Sequence, residues 1–239
     1  MMQRMVIRLR SENLDDIHSD LGVKIHGYIM SIIDSDYAEK LHTEALNPFS
    51  INVVRDGSEL ILTINALADE AMQIINALKA VDKIIVKGAP ALKVLDYSIE
   101  NPVGYNDYVD NIKKYQFNII TPALCKKQGT LYFGTEISQY FKSVALKLNE
   151  FENENISEED IKKAFDCMKI VGYKFFSKSY KIDPKKLTGM MGSVSFKIHG
   201  DYSNCELLKK LIHYSCYSGI GSRTALGMGG AELNMFLVY

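Results

Sequence analysis

A chain of 239 residues, 47% of them hydrophobic, can bury a real core, either as one large domain or as two of about 120 residues. The formal charge of −1 speaks against a uniformly basic nucleic-acid binder, and Cys125, Cys167, Cys205 and Cys216, scattered without a CxxC pair, read as reduced thiols rather than a disulfide framework or a zinc site. No stretch approaches the roughly 18 uninterrupted apolar residues of a membrane span, and the alternating start MMQRMVIRLRS lacks the apolar run of a signal peptide, so a cytoplasmic protein without a membrane partner is expected.

Alternation from Met5 to Ser11 predicts a first strand. A loop carrying Asp15, Asp16 and Asp20 follows, and then Ile25, Tyr28, Ile29, Ile32 and Ile33 form a helical stripe. A second short helix is predicted from Asp36, placed to cap it, to about Glu44, and Asn47-Pro48 stops it. Phe49 to Val54 and Glu59 to Leu67 read as strands, joined by Arg55-Asp56-Gly57-Ser58 into a hairpin. Met72, Ile75 and Leu78 give a helix over 69–80, strand material returns from Lys83, and Lys87-Gly88-Ala89-Pro90 breaks or turns it. The order strand, helix, strand, strand, helix, strand is the βαββαβ ferredoxin-like layout that RNA-recognition modules share.

The polar run 101–112 marks a boundary, giving an N-terminal domain over 1–110 and a C-terminal one over 111–239. Beyond it come a strand (Tyr115 to Ile120), a loop (Thr121 to Gly129) and another strand (Thr130 to Gly134). A long helix from Glu136 to about Phe151 follows. Ser157-Glu158-Glu159-Asp160 has the pattern of a helix N-terminus, and the helix runs to about Met168. Strands at Ile170 to Phe176 and Gly192 to His199, a helix from Glu206 to Tyr217 ending at Gly219, and a strand from Ala231 to about Val238 complete a looser copy of the same fold. The expected class is therefore α+β, two tandem ferredoxin-like, RRM-like domains.

Near-neutrality hides a division of charge. Residues 1–110 hold 10 Lys and Arg against 17 Asp and Glu, and residues 111–239 hold 18 against 12. No acid lies between Asp110 and Glu136, a window containing Lys113, Lys114, Lys126 and Lys127, and only Asp183 interrupts the stretch from Lys169 to Lys197. Such asymmetry suits a half that faces phosphates, although ordinary surface scatter produces it as readily.

The sharpest local feature is Gly219-Ile220-Gly221-Ser222-Arg223-Thr224-Ala225-Leu226-Gly227-Met228-Gly229-Gly230, between a helix and the last strand. Glycines admit positive φ and close approach of a ligand to the main chain, and bare N–H groups hold phosphate. By itself the segment fits a tight structural turn, an RNA clamp or a nucleotide loop. It lacks the Gly-Lys-Ser/Thr of a Walker loop, and its helix-to-strand setting is the reverse of the dinucleotide fingerprint.

The run from Gly192-Ser193-Val194-Ser195-Phe196-Lys197-Ile198-His199-Gly200 through the helix to this glycine segment resembles the C-terminal signature of the CRISPR-associated repeat-RNA endoribonucleases, the Cas-six family of the RAMP superfamily. His26-Gly27-Tyr28-Ile29-Met30, Asp36-Tyr37-Ala38-Glu39, Leu41-His42 and Asn47-Pro48-Phe49-Ser50 are similar to that family's first helices in order and place; the strand MVIRLRS and Ile120-Thr121-Pro122 also fit, so the resemblance covers nearly the whole chain. It implies a hydrolase that processes pre-crRNA in antiviral defence, with Gly219, Gly221, Ser222, Arg223, Gly227 and Gly229 gripping repeat RNA. It also implies cutting without metal or other cofactor, by attack of a 2′-hydroxyl, leaving a 2′,3′-cyclic phosphate and a 5′-hydroxyl.

Such chemistry needs a base, an acid and a cation near the phosphate, and histidine suits both proton roles. The resemblance places a catalytic histidine at His26, where the alternative is a plain helix-start residue, and at His42, where the alternative is a histidine bonded to backbone. Tyr28 can supply a hydroxyl, against its place in the apolar stripe. Some relatives carry a lysine shortly after the second histidine; here Glu44-Ala45-Leu46-Asn47 has none, which leaves the cation open among Lys24, Lys126, Lys127 and Arg223. His18, His199 and His213 read as structural or exposed. Lys113, Lys114, Lys126 and Lys127 would line a phosphate track.

A non-catalytic RNA-binding subunit of a CRISPR effector complex is the main alternative, which the two early histidines disfavour; a nucleotide-using enzyme is the third. Other effector subunits would be further partners, and the oligomeric state is left between monomer and homodimer.

Overall fold

The computed structural model describes residues 2–12, 21–102, 112–127, 129–182 and 184–237, with the backbone alone at Ile112, Lys113, Lys127 and Leu237. The expected Asp15–Asp20 loop, His18, most of the boundary run 101–112 and Val238 lie outside them. The chain divides into two compact units. Unit 1 is Met1–Pro102 with Ser179–Leu187 and Arg223–Met228; unit 2 is Val103–Lys178, Thr188–Ser222 and Gly229–Tyr239.

Unit 1 is built from β1 (Gln3–Ser11), α1 (Leu21–Ile32), α2 (Ser35–Thr43), β2 (Phe49–Asp56), β3 (Glu59–Ala66), α3 (Met72–Leu78), β4 (Lys83–Ile84) and β5 (Leu92–Glu100). The antiparallel sheet runs β2-β3-β1-β5-β4. Alternation in β1 sends Met5, Ile7 and Leu9 into the core and Arg4, Arg8 and Arg10 to the other face. Leu21, Ile25 and Ile29 of α1 cover that core, with Phe49 and Ile51 of β2 and Ile74, Ile75 and Leu78 of α3. The opposite face is polar: Arg8 meets Glu59 at 2.9 Å and Asp96 at 2.7 Å, and Asn65 donates to Ser50 at 2.9 Å.

Two local readings need correction. Asp34, not Asp36, caps α2: its carboxylate accepts the N–H groups of Asp36 and Tyr37, so the helix starts one residue earlier than expected. The fourth ferredoxin strand is β5, not the material from Lys83. Only Lys83 and Ile84 pair there, on Lys93 and Leu92, and the Gly88 turn leads into the nine-residue strand that lies beside β1.

Unit 2 takes in most of β6 (Ile112–Ala123), β7 (Cys125–Lys127), β8 (Thr130–Tyr132), α4 (Ser138–Phe151), α5 (Glu158–Asp166), β9 (Met168–Ile182), β10 (Lys185–Ile198), α6 (Tyr202–Ser218) and β11 (Ala231–Leu237). Its sheet runs β11-β6-β10-β9. The first strand is flanked by the third and the last, and the second lies outside the third, as in unit 1; both units therefore have ferredoxin-like order. Phe117 of β6 and Phe141 of α4 pack at 5.6 Å between ring centres, and Tyr115 stacks on Phe196 at 5.3 Å. The expected capping pattern is present: Ser157 and Asp160 form a reciprocal capping box at α5. The expected loop 121–129 is instead the end of β6 plus β7, and β9 and β10 extend well beyond their predicted spans.

Lys147 of α4 is 4% exposed, and its Nζ donates to the Ser218 carbonyl at 2.6 Å, at the end of α6. Burial pushes its pKa from the usual 10.5 down to about 7. The unfolded chain therefore holds the extra proton across this window. The favourable contribution is complete above 10.5 and disappears as pH falls to about 7. Urea unfolding midpoints are expected to rise between about pH 7 and pH 9 by the equivalent of about 2 kcal/mol, and Lys147→Met should remove that slope.

Candidate active site

The site builds up from α1. The stripe that seats Ile25 and Ile29 in the core leaves His26 half-buried beside it, four residues after Gly22 and on the same side of the helix. The ring stacks on Phe49 of β2, with centroids 5.9 Å apart and planes 9° from parallel. His42, exposed in the last turn of α2, stands edge-on to it, 6.3 Å between centroids and 74° between planes. Nδ1 of His26 lies 3.1 Å from the Ala225 carbonyl oxygen. A carbonyl only accepts, so Nδ1 carries the proton and, in the neutral ring, Nε2 keeps its lone pair. Burial lowers the pKa of His26; the Ala225 carbonyl pulls it upward and His42 adds to the lowering. The neutral form is therefore favoured at neutral pH.

Other sequence candidates separate. Tyr28, two residues on and so turned to another side of α1, donates to the Lys83 carbonyl at 3.4 Å, and burial raises its pKa. It is not brought to the histidine pair. Lys24 donates to the Gly88 carbonyl at 3.0 Å. Lys40, two residues before His42, forms ion pairs with Glu70 and Glu44. Arg223 is exposed, belongs to the same unit as the histidines, and stands two residues before Ala225. Its φ of 66° is left-handed, shared among described non-glycine residues only with Asn153, and a strained backbone of this kind clusters at functional sites. His213 is buried edge-on to Tyr217 at 5.3 Å and His199 is exposed.

In unit 2, Lys126 is exposed on β7, and exposed Lys114 places Nζ 5.8 Å from the Phe236 ring centre. The side chains of Lys113 and Lys127 lie outside the described residues.

The glycine segment differs from the expected array of bare N–H groups. Gly219, Gly221, Gly227 and Gly229 are buried. Gly219 N–H donates to Ser215, Ile220 to Gly229, Gly221 to Tyr140, Ser222 to Leu124, Gly227 to Thr224 and Gly229 to Pro122. These amides serve the fold, so of the six proposed contact residues Ser222 and Arg223 present themselves to solvent. Phe49 and the Ala225 carbonyl are site members that sequence reasoning missed. Phe49 sits in the quoted Asn47-Pro48-Phe49-Ser50 motif; a main-chain carbonyl has no side-chain signature.

Residues 117–231 match the family model described as CRISPR-associated endoribonuclease Cas6. The chain is 26% identical over 97% of its length to such a protein of Streptococcus thermophilus, covering 98% of that relative, and 25% identical over 89% of its length to one of Mycobacterium tuberculosis, covering 71% of it. A solved Cas6 product complex superposes with a TM-score of 0.78 at 16% identity, across 98% of this chain and 100% of that one, and Thermus thermophilus Cas6 with 0.68 at 14%, across 98% of each. The chain is thus similar along nearly its full length, in sequence and in its two ferredoxin-like units, to CRISPR-associated endoribonucleases Cas6.

Proposed function

We propose that this protein cuts CRISPR repeat RNA by internal attack of a 2′-hydroxyl, with His26 as general base and His42 as general acid. The observation that carries the reading is the imidazole pair, one ring held by a main-chain carbonyl with Nε2 left as acceptor. Nε2 of His26 takes the 2′-hydroxyl proton as the O2′–P bond forms. His42, on the exposed side, gives a proton to the departing 5′-oxygen as the P–O5′ bond breaks. Arg223 supports the charge gathering on the phosphoryl oxygens. A 2′,3′-cyclic phosphate and a 5′-hydroxyl remain. Lys113, Lys114, Lys126, Lys127 and Ser222 hold phosphates, so affinity falls steeply with salt. Gly219, Gly221, Gly227 and Gly229 act by shaping the segment that carries Ser222, Arg223 and Ala225.

A panel of CRISPR repeat RNAs incubated with the protein in EDTA tests this, with both product ends mapped. Cleavage in EDTA to cyclic-phosphate ends, abolished by a 2′-deoxy nucleotide at the cut, is the expected result. Cleavage that needs magnesium, or that leaves a 3′-hydroxyl, would overturn it, and tight binding without breakage would favour an RNA-binding subunit.

A further inference from the structure

The carbonyl that orients His26 is itself held by a contact far away in sequence. Tyr180, in the Ser179–Leu187 segment of unit 1, is 6% exposed and donates its hydroxyl to the Leu226 carbonyl at 2.6 Å. Leu226 follows Ala225 directly, in the 3-10 turn Thr224–Leu226. Under this turn α1 offers Gly22, one helical turn before His26. A methyl group on Gly22 would lie 2.9 Å from both the Cα of Gly227 and the Leu226 oxygen, and one on Gly227, whose φ is 91°, would lie 2.9 Å from the Gly22 Cα. Close seating of turn on helix at this point thus depends on two missing side chains. Gly22 and His26 share a helix face, so the contact that seats Gly227 on Gly22 also sets where Ala225 stands against His26.

We propose that Tyr180 is a positioning residue for catalysis. Together with the Gly22–Gly227 contact, its hydroxyl fixes the 223–228 turn so that the Ala225 carbonyl holds His26 in the Nδ1–H tautomer. This rests on the reading of His26 as the base. Tyr180 bonds the second of two consecutive carbonyls, the first of which receives the imidazole, so it acts through the turn. Among the described residues around the His26 ring, His42 from α2 is titratable, and Phe49 of β2 and Ala225 of the turn bring no charge.

The test is Tyr180→Phe, which keeps the ring and removes the bond. Long-range 15N NMR of His26 at a pH where the ring is neutral should show the Nδ1–H tautomer in the wild type and a mixture with Nε2–H in the variant. Single-turnover cleavage of a repeat RNA should fall about tenfold to a hundredfold while RNA affinity stays unchanged. The acid limb of the rate–pH profile should move to lower pH, because the Ala225 hydrogen bond raises the His26 pKa. A structural defect alone would reduce the active fraction equally at every pH and leave the tautomer as it was.

The proposal is overturned if the tautomer and profile match the wild type, or if the tautomer changes and the rate does not. His26→Ala separates the two layers: if that variant still cleaves at the wild-type rate, the assignment of the base has failed, whatever Tyr180→Phe does to the ring.

Discussion

His26→Ala is expected to slow cleavage of a cognate repeat RNA by about a thousandfold, within the range of about 10²–10⁴ that positioned acid–base groups contribute, with little change in RNA affinity. The size of the effect follows from geometry. Nδ1 is committed to the Ala225 carbonyl, so on the proposed mechanism Nε2 is the one nitrogen that can receive the 2′-hydroxyl proton. Among the described residues near the ring, Phe49 is apolar, Tyr28 is turned to Lys83, and His42 serves as the acid on the proposed mechanism. Burial holds the His26 pKa below its usual 6.5, so in the wild type the rate should rise with pH along a limb lying below 6.5 and then level as the ring becomes neutral. His42→Ala should slow cleavage by about 10²–10⁴-fold, because the departing 5′-oxygen then loses its proton donor. Single-turnover rates across pH, alongside Kd for an uncleavable 2′-deoxy repeat, check all of this. Equal cleavage by both alanine variants and the wild type would remove the histidine pair from the mechanism.

Gly221→Ala is expected to destabilise unit 2 by about 3 kcal/mol or more, a large share of the roughly 5–15 kcal/mol that holds a domain folded. Gly221 has φ 71°, and an added Cβ would stand 2.1 Å from the Leu124 carbonyl oxygen. The left-handed backbone costs an L-residue about 1–2 kcal/mol, and relieving the overlap adds about 1–3 kcal/mol. Little can yield, because Gly221 N–H is bonded to Tyr140 and Ser222 N–H to Leu124 itself. Gly229, with φ 68° and a virtual Cβ 2.0 Å from the Ile220 oxygen, should behave the same way. Gly27 is the control. It is exposed within α1, and among the described residues no atom outside that helix's own backbone lies inside 4 Å of an added Cβ, so Gly27→Ala should stabilise by about 0.5–1 kcal/mol. Urea titrations of the three variants distinguish a segment that must be glycine for packing from one that is glycine for ligand access.

Much of the fold was legible because its signals are local. Periodicity placed α1 and β1, the Asp-Gly pair placed the β2–β3 hairpin, and Ser157 with Asp160 placed the start of α5. The miss at α2 is equally physical. Asp34 and Asp36 are both good caps, and only the main-chain angles, φ −55° and ψ 137° at Asp34, select the first. β5 was missed because its residues are mostly exposed after Leu92, so burial leaves a weak imprint on the pattern. At the site, the family motifs brought His26 and His42 together in expectation, and the geometry brings them together in space. The glycine segment was harder. Its composition announces a special backbone, but whether its amides point outward or are bonded within depends on Leu124, Pro122 and Tyr140, residues about a hundred positions away in the sequence. The Tyr180 hydroxyl and the Ala225 carbonyl carry no motif at all.

Ala225 belongs to the core of the unit that holds both histidines, although 199 positions separate it from His26. A ribosome therefore delivers the two imidazoles well before the carbonyl that His26 meets. A nascent chain halted before Ala225 would carry both rings without that carbonyl, so on the proposed mechanism cleavage competence should arrive only once the 223–228 turn has been made.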